Sequence, residues 1–312
     1  MYNESVISWK TEREVTNWMN YLCFDIGGTF IKYGLFNEKG EALGQTQKVK
    51  TSIDQHSNQI LQQVLSITKQ VQSQESLSGV AISTAGVVDS RDGSIRFAGP
   101  TIPGYTGTPL KVEVEALTGL PCYVVNDVNA ACLGEYWQAS RTGQPPKSMI
   151  CFTIGTGVGG AIVLDGQLLT GVSDMAGEVG YLPIGKTAFQ ELASTTALLE
   201  QAAQATGENL SGEAFFDRLE ATGDPVLSQV LDQFLNHLAT GLLSAIYLLN
   251  PEVLVLGGGI LARANLIMPR LMAILEQRVI DPRFLTTEIR PAQSGNDAGM
   301  LGALSQLIKL TQ

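Results

Sequence analysis

Short apolar runs closed by glycine alternate along this chain with longer stretches of helical spacing. The first run, Tyr21-Leu-Cys-Phe-Asp-Ile26, stops at Gly27-Gly28 and predicts a buried strand. Thr29 to Phe36 predicts a second strand. After the turn Asn37-Glu-Lys-Gly40, the segment Glu41 to Lys48 predicts a third, giving a meander opened by a glycine turn. Ile60, Leu61, Val64, Leu65, Ile67 and Val71 recur at helical spacing, so a helix is expected over 53–71. Gly79 to Ser83 and Cys122 to Val125 read as strands, Val112 to Leu117 and Val128 to Glu135 as helices.

The opening then recurs. Phe24-Asp-Ile-Gly-Gly-Thr29 is echoed by Phe152-Thr-Ile-Gly-Thr-Gly157, and both copies continue as strand and glycine-containing turn. This suggests two related domains of similar topology; chance likeness of two glycine-rich hairpins is the alternative. Beyond Ser194 the pattern is mostly helical. Pro225 to Leu249 predicts a long helix, apolar nearly all round over 242–249 and therefore buried there, ended by Asn250-Pro251. Val253 to Leu256 predicts a strand entering Gly257-Gly258-Gly259. A helix is expected over Met268 to Leu275 with Pro269 in its first turn, a strand over Thr286 to Ile289, and a closing helix over Ala298 to Leu307. Strands alternating with helices indicate an α/β fold.

Composition narrows the function. Of 312 residues, 44% are hydrophobic, which excludes disorder as the main state. The net charge of −10 argues against an autonomous nucleic-acid binder. Cys23, Cys122, Cys132 and Cys151 show no C-x-x-C spacing and read as small buried hydrophobes in a reducing compartment. With His56 and His237 the only histidines, no Cys/His zinc constellation can be assembled. Residues 1–20 lack an apolar signal region, Met19 is a plausible alternative start, and no run is long enough to span a membrane, so a cytoplasmic protein is expected.

Three glycine turns follow three apolar strands: Gly27-Gly28-Thr29, Gly155-Thr156-Gly157 and Gly257-Gly258-Gly259. Glycine lets backbone N–H groups approach a phosphate, and a threonine adds a hydroxyl donor. Each turn could equally be a tight hairpin. Gly155-x-Gly157-x-x-Gly160 fits the dinucleotide fingerprint, but strand-like residues follow where a helix is required. Gly180-Tyr-Leu-Pro-Ile-Gly-Lys186-Thr187 fits a P-loop formally; no good strand precedes it, and Pro183 removes a donor. Asn126-Asp127 ends a strand and begins a helix. Either residue could be the helix N-cap, or Asp127 could accept a proton from a substrate hydroxyl at the sheet edge. Asp174, Glu178 and Glu191 form an acidic cluster, or else a set of solvated loop carboxylates.

In this order these motifs resemble the ROK family (repressor, open reading frame, kinase) of sugar kinases within the actin-like ATPase superfamily. The resemblance rests on Phe24 to Lys32, Ala85-Gly86-Val-Val-Asp89, Val125 to Ala131, Ile154 to Gly160, Ala176 to Gly180, Val255 to Gly259 and Gly295 to Gly299. It implies two actin-like, RNase H-like domains with an interdomain cleft: residues 1–20 as an extension, 21–126 plus 297–312 as the smaller domain and 127–296 as the larger. It further implies ATP and Mg²⁺, with Asp25 helping to hold the metal. Gly27, Gly28, Thr29, Lys32, Thr156 and Gly157 would meet the phosphates, and Gly257 to Gly259 the adenosine. Asp127 is implied as the base on the sugar hydroxyl, with Asn126, Glu178, Glu191, Tyr181 and Gly86 about the sugar.

Departures from the family pattern matter. Tyr181 stands where a histidine is usual, and Lys186 to Gln190 replaces a cysteine-rich zinc loop, so no zinc is expected. Gly99-Pro-Thr-Ile-Pro103 replaces a common sugar-contact segment. Together these resemble the β-glucoside kinase branch. The expected activity is ATP-dependent phosphorylation of the 6-OH of glucose or of a β-glucoside, by a homodimer without nucleic-acid or membrane partners. The alternatives are an N-acetylmannosamine or other hexose kinase, or a non-catalytic sugar-responsive regulator. Against the regulator, some twenty residues before Tyr21 are too few for a helix-turn-helix domain.

Overall fold

The computed structural model describes residues 19–99, 101–143 and 145–312. Of the expected N-terminal extension, residues 1–18 lie outside the described residues. The described residues form two compact units: 19–137, 172–174 and 296–312 in the first, 138–171 and 175–295 in the second. The division thus falls inside the helix that follows Asn126, whereas the sequence places it ahead of Asp127.

In the first unit, β1 (Tyr21–Ile26), β2 (Phe30–Phe36) and β3 (Gln47–Lys50) make the predicted antiparallel meander. The third strand is shorter and later than Glu41 to Lys48, because Ala42 bridges back to Phe36 and delays the strand to Gln47. Helix α1 (Ile60–Gln72) starts at residue 60, not 53. Ahead of it, the Asp54 carboxylate accepts the backbone N–H groups of His56 and Ser57 at 2.8 and 2.7 Å, a local turn that competes with helix. Then come β4 (Gly79–Thr84), the hairpin of β5 (Val87–Val88) and β6 (Ile95–Phe97), α2 (Leu110–Thr118), β7 (Cys122–Asn126) and α3 (Asp127–Thr142). The sheet order is β3-β2-β1-β4-β7, with β4 and β7 parallel to β1.

The second unit repeats this plan. Its sheet has the order β10-β9-β8-β13-β14, from β8 (Ser148–Ile154), β9 (Val158–Leu164), β10 (Gln167–Leu168), β13 (Val253–Gly257) and β14 (Glu288–Pro291). Again three antiparallel strands are followed by two that run parallel to the first. Phe24 opposes Tyr33 in one hairpin and Phe152 opposes Gly160 in the other. The six-residue echo in the sequence therefore marks a duplicated hairpin, not chance.

Between β10 and β13 lie a small hairpin of β11 (Pro183–Ile184) and β12 (Thr187–Ala188), then α4 (Gln190–Ala193), α5 (Thr195–Thr206), α6 (Gly212–Thr222) and α7 (Pro225–Leu249). Helix α7 has the bounds the sequence predicts. Asp224 accepts the N–H groups of Val226 and Leu227, Pro225 fills the first turn, and Asn250 ends it at φ 44°. Its last turn is only half buried, since Tyr247 and Leu248 are exposed while Leu242, Leu243 and Ile246 are not. Helix α8 (Ala264–Arg278) begins four residues before the expected start, which puts Pro269 in its interior instead of its first turn.

Helix α9 (Ala298–Thr311) returns to the first unit and packs on β4, β1 and β7. It crosses α3 closely: a Cβ on Gly302 would collide with the carbonyl of Ala130. Each unit has its own core, one around Leu22, Phe24, Ile82 and Tyr105, the other around Phe152, Phe189, Phe234 and Leu256. All four cysteines are buried and free, and burial pushes the Cys23 and Cys122 thiols far up. Among the described residues no helix is long and apolar enough to cross a membrane.

Candidate active site

In the first unit the parallel strands β1, β4 and β7 end level with one another, Ile26 opposite Thr84 and Thr84 opposite Asn126. Every segment that leaves this edge carries a sequence-predicted residue, and the carboxyl edge is where open α/β sheets place ligands. Gly27-Gly28-Thr29 follows β1, Gly86 follows β4 and Asp127 follows β7. Asp25, one position before the end of β1, lies in register with Lys32 on β2 and Ser83 on β4. Ser83 Oγ donates to its Oδ1 at 3.1 Å, and Lys32 Nζ stands 3.4 Å from Oδ2. Gly27 N–H is already bonded to Phe30 O, whereas Gly28 and Thr29 are exposed and their N–H groups bond to no acceptor among the described residues.

Asn126 is the helix cap. Its Oδ1 accepts from the N–H groups of Val128 and Asn129 at 2.9 and 3.1 Å, and its amide donates to Gly86 O at 2.9 Å and Asp127 Oδ1 at 3.0 Å. Asp127 is the first residue of α3, and its own Oδ1 also accepts from Val128 N–H at 2.9 Å. Its carboxyl is pushed up to about 6: burial is the largest cause and the Asp25 charge adds to it, against the Val128 N–H and the Asn126 amide, which lower it. The two carboxylates are thus close enough to feel one another, and a carboxyl near 6 is suited to proton transfer at neutral pH.

In the second unit, Gly155-Thr156-Gly157 follows β8 and Gly257-Gly258-Gly259 follows β13. The turns stack at the equivalent sheet edge. Gly258 has φ +101°, and a Cβ there would collide with Ile154 O, so only glycine fits. Gly155 N–H is spent on Gly157 O at 2.9 Å, so it is not among the donors left for a phosphate. A cavity of about 690 Å³ opens beside both turns. Thr156, Gly259, Thr195, Leu199, Phe216 and Ile260 line it, with Glu213 and Arg263, the latter paired to Asp217 and Glu220. That volume and an apolar wall with few polar groups suit a nucleoside. Gly257 and Gly258 are not among its lining residues, although both support Gly259. Leu199, Phe216 and Arg263 had no sequence signal.

Glu178 precedes a single helical turn, Val179–Tyr181, of the second unit. It is half-buried, and burial raises its carboxyl. Tyr181 is 64% exposed. Glu191 is exposed on α4, while its neighbour Gln190 turns inward toward Gly157 and Gly180. Asp174, in the first unit, is paired to Arg96 at 3.2 Å, and Arg96 also binds Asp89. Among the described residues no group of three His, Cys, Asp or Glu side chains is placed to hold a metal ion. Residues 180–187 form a turn and the β11–β12 hairpin with Lys186 exposed, so the P-loop match is coincidental. The dinucleotide match is likewise followed by β9, a strand. His56 is exposed and His237 lies half-buried in α7.

Comparison with known proteins gives three further findings. The ROK family model matches residues 21–309. An uncharacterised protein of Clostridium perfringens is 40% identical over 286 residues, 91% of this chain and 96% of the relative. A beta-glucoside kinase of Klebsiella pneumoniae is 33% identical over 301 residues, 92% and 95% of the two chains. Among solved structures, a ROK family glucokinase from Streptomyces griseus in complex with glucose and AMPPNP matches with a TM-score of 0.76 at 28% identity, covering 92% of this chain and 98% of the other.

Proposed function

The chain belongs to the ROK family, and we propose that it is an ATP-dependent sugar kinase acting on the 6-OH of glucose or of a β-glucoside. The observation that carries this reading is the pair of electrostatically coupled carboxylates, Asp25 and Asp127, at one sheet edge beside the Gly28-Thr29 donors.

Phosphoryl transfer has a loose transition state, so the protein positions groups and neutralises charge. Asp127, oriented by Asn126, accepts a hydrogen bond from the sugar hydroxyl and takes its proton as the oxygen bonds to the terminal phosphorus, whose bond to the bridging oxygen breaks to release ADP; the proton later returns to solvent. The N–H groups of Gly28 and Thr29, and Lys32, stabilise phosphate charge. Thr156 and Gly259 hold the nucleotide at the cavity of the second unit. Glu178 accepts hydrogen bonds from hydroxyls of the sugar.

Asp25 fits a magnesium site of the kind that uses one carboxylate, retained waters and phosphate oxygens. Its oxygens are half-open at the sheet edge, and no larger cage is present among the described residues. Bound there, Mg²⁺ supplies charge neutralisation on the phosphate oxygens. The same reading includes no zinc, a homodimer and a cytoplasmic location. Four free buried cysteines support a reducing compartment, and the exposed Leu248 and Ile280 offer apolar surface to a second copy. ATP consumption measured against a panel of monosaccharides and β-glucosides tests the activity; turnover with none of them rejects it.

A further inference from the structure

Gln190 opens α4 and has no assigned part in the site described above. A Cβ built on Gly157 would lie 2.8 Å from its Oε1, and one on Gly180 would lie 3.2 Å from it. The carboxamide therefore sits between the Thr156 turn and the segment that carries Glu178. It is part-buried, and its side chain has no hydrogen-bond partner among the described residues. A part-buried amide held between two binding segments and bonded to neither is available to a ligand.

The chemistry of the two side chains differs. Glu178 is an acceptor when ionised and can engage only groups that bring a proton. Every hydroxyl of a free hexose does so, the anomeric one included. Once the anomeric oxygen is substituted it becomes an acceptor alone, and only a donor can bind it. Gln190 carries such a donor, Nε2, on the carboxamide whose Oε1 lies against Gly180, two residues after Glu178. A second observation concerns the rim. Met175 and Tyr181, flanking Glu178 in the sequence, are 45% and 64% exposed. An exposed aromatic ring beside a sugar-binding carboxylate provides a face for a second ring.

Resting on the sugar-kinase reading, we propose that Gln190 is a specificity-determining residue: its amide donates to the bridging oxygen of a glucoside, with Tyr181 as the platform for the group beyond it. A glucoside is then accepted alongside free hexose, whose anomeric hydroxyl can also accept from the amide, whereas a carboxylate at this position would exclude the glucoside.

The test is steady-state kinetics with ATP on the wild type, Gln190→Glu and Tyr181→Ala, with methyl β-glucoside, cellobiose and glucose as acceptors. The ratio of kcat/KM for methyl β-glucoside to that for glucose is expected to fall about tenfold or more in Gln190→Glu, mostly through KM for the glucoside. Tyr181→Ala is expected to lower kcat/KM for cellobiose relative to methyl β-glucoside by roughly threefold or more. Should Gln190→Glu fail to melt cooperatively, Gln190→Met, similar in shape but without donors, is held to the same ratio. An unmoved ratio, or equal losses on both acceptors, overturns the assignment while leaving the kinase intact. A wild type that turns over none of the three overturns the kinase reading and this one with it.

Discussion

The amide of Asn126 donates to Oδ1 of Asp127 at 3.0 Å while the carbonyl oxygen of the same side chain caps α3. Adjacent residues have divided two tasks that compete for one position. A capping carboxylate would be pinned by backbone N–H groups and held at low pKa. Asn126 takes the Asn129 N–H and shares that of Val128, and Asp127, bonded at Oδ1, keeps Oδ2 to act as a base.

Asp127→Asn is expected to fold and to lose about 10²-fold or more in kcat. It should also be more stable than the wild type at neutral pH. The carboxyl is raised from 3.8 to about 6 in the folded chain. Between those values the native state holds a proton that the unfolded chain has released, so wild-type stability falls as pH rises through that window. Above it the full cost of a buried charge remains, of order 1–3 kcal/mol. Thermal melts of both proteins should therefore differ at pH 7.5 and converge near pH 4. Near-normal phosphorylation by the variant would remove the base assignment.

The same group sets an acid limb. kcat/KM should rise with pH through an apparent pKa near the Asp127 value of about 6 and then level off. A profile that stays flat down to pH 4.5 would mean that another group carries the proton.

Gly259 lines the nucleotide cavity, and a Cβ there meets no protein atom within 4 Å. Gly259→Val is therefore expected to leave the melting temperature nearly unchanged while its side chain occupies ligand space. KM for ATP should rise about tenfold or more, with a smaller effect on KM for the sugar. An unchanged KM for ATP would place the nucleotide elsewhere.

Metal content separates two roles. Purified protein should carry no stoichiometric zinc, and EDTA should abolish activity that excess Mg²⁺ restores. Asp25→Asn should raise the Mg²⁺ concentration needed for half-maximal rate about tenfold or more. Elemental analysis showing one tightly held zinc per chain would show that the segment from Tyr181 to Gln190 had been misread.

Much of this molecule is legible one residue at a time. Gly27-Gly28 after Tyr21–Ile26, Asp224-Pro225 ahead of α7 and Asn250 behind it are local signals, because caps and turns depend on a few neighbouring backbone angles. The duplication was visible in six residues for the same reason, since both copies answer the same turn geometry. Where local signals compete, the reading slipped. Asp54 diverts residues 53–59 from helix, and Ala42 delays β3.

The order of motifs along the chain carried the family and its chemistry, and with them Asp25 and Asp127. Folding had to settle which side chains face inward. Glu191 and Gln190 are neighbours on one short helix, and nothing in their spacing says that the carboxylate faces solvent while the amide reaches Gly157. Asp174 is paired by an arginine more than seventy positions earlier in the chain. Leu199, Phe216 and Arg263 share one cavity only because α5, α6 and the turn after β13 pack together. Such neighbours are chosen by packing between distant segments, and packing leaves no period in a sequence.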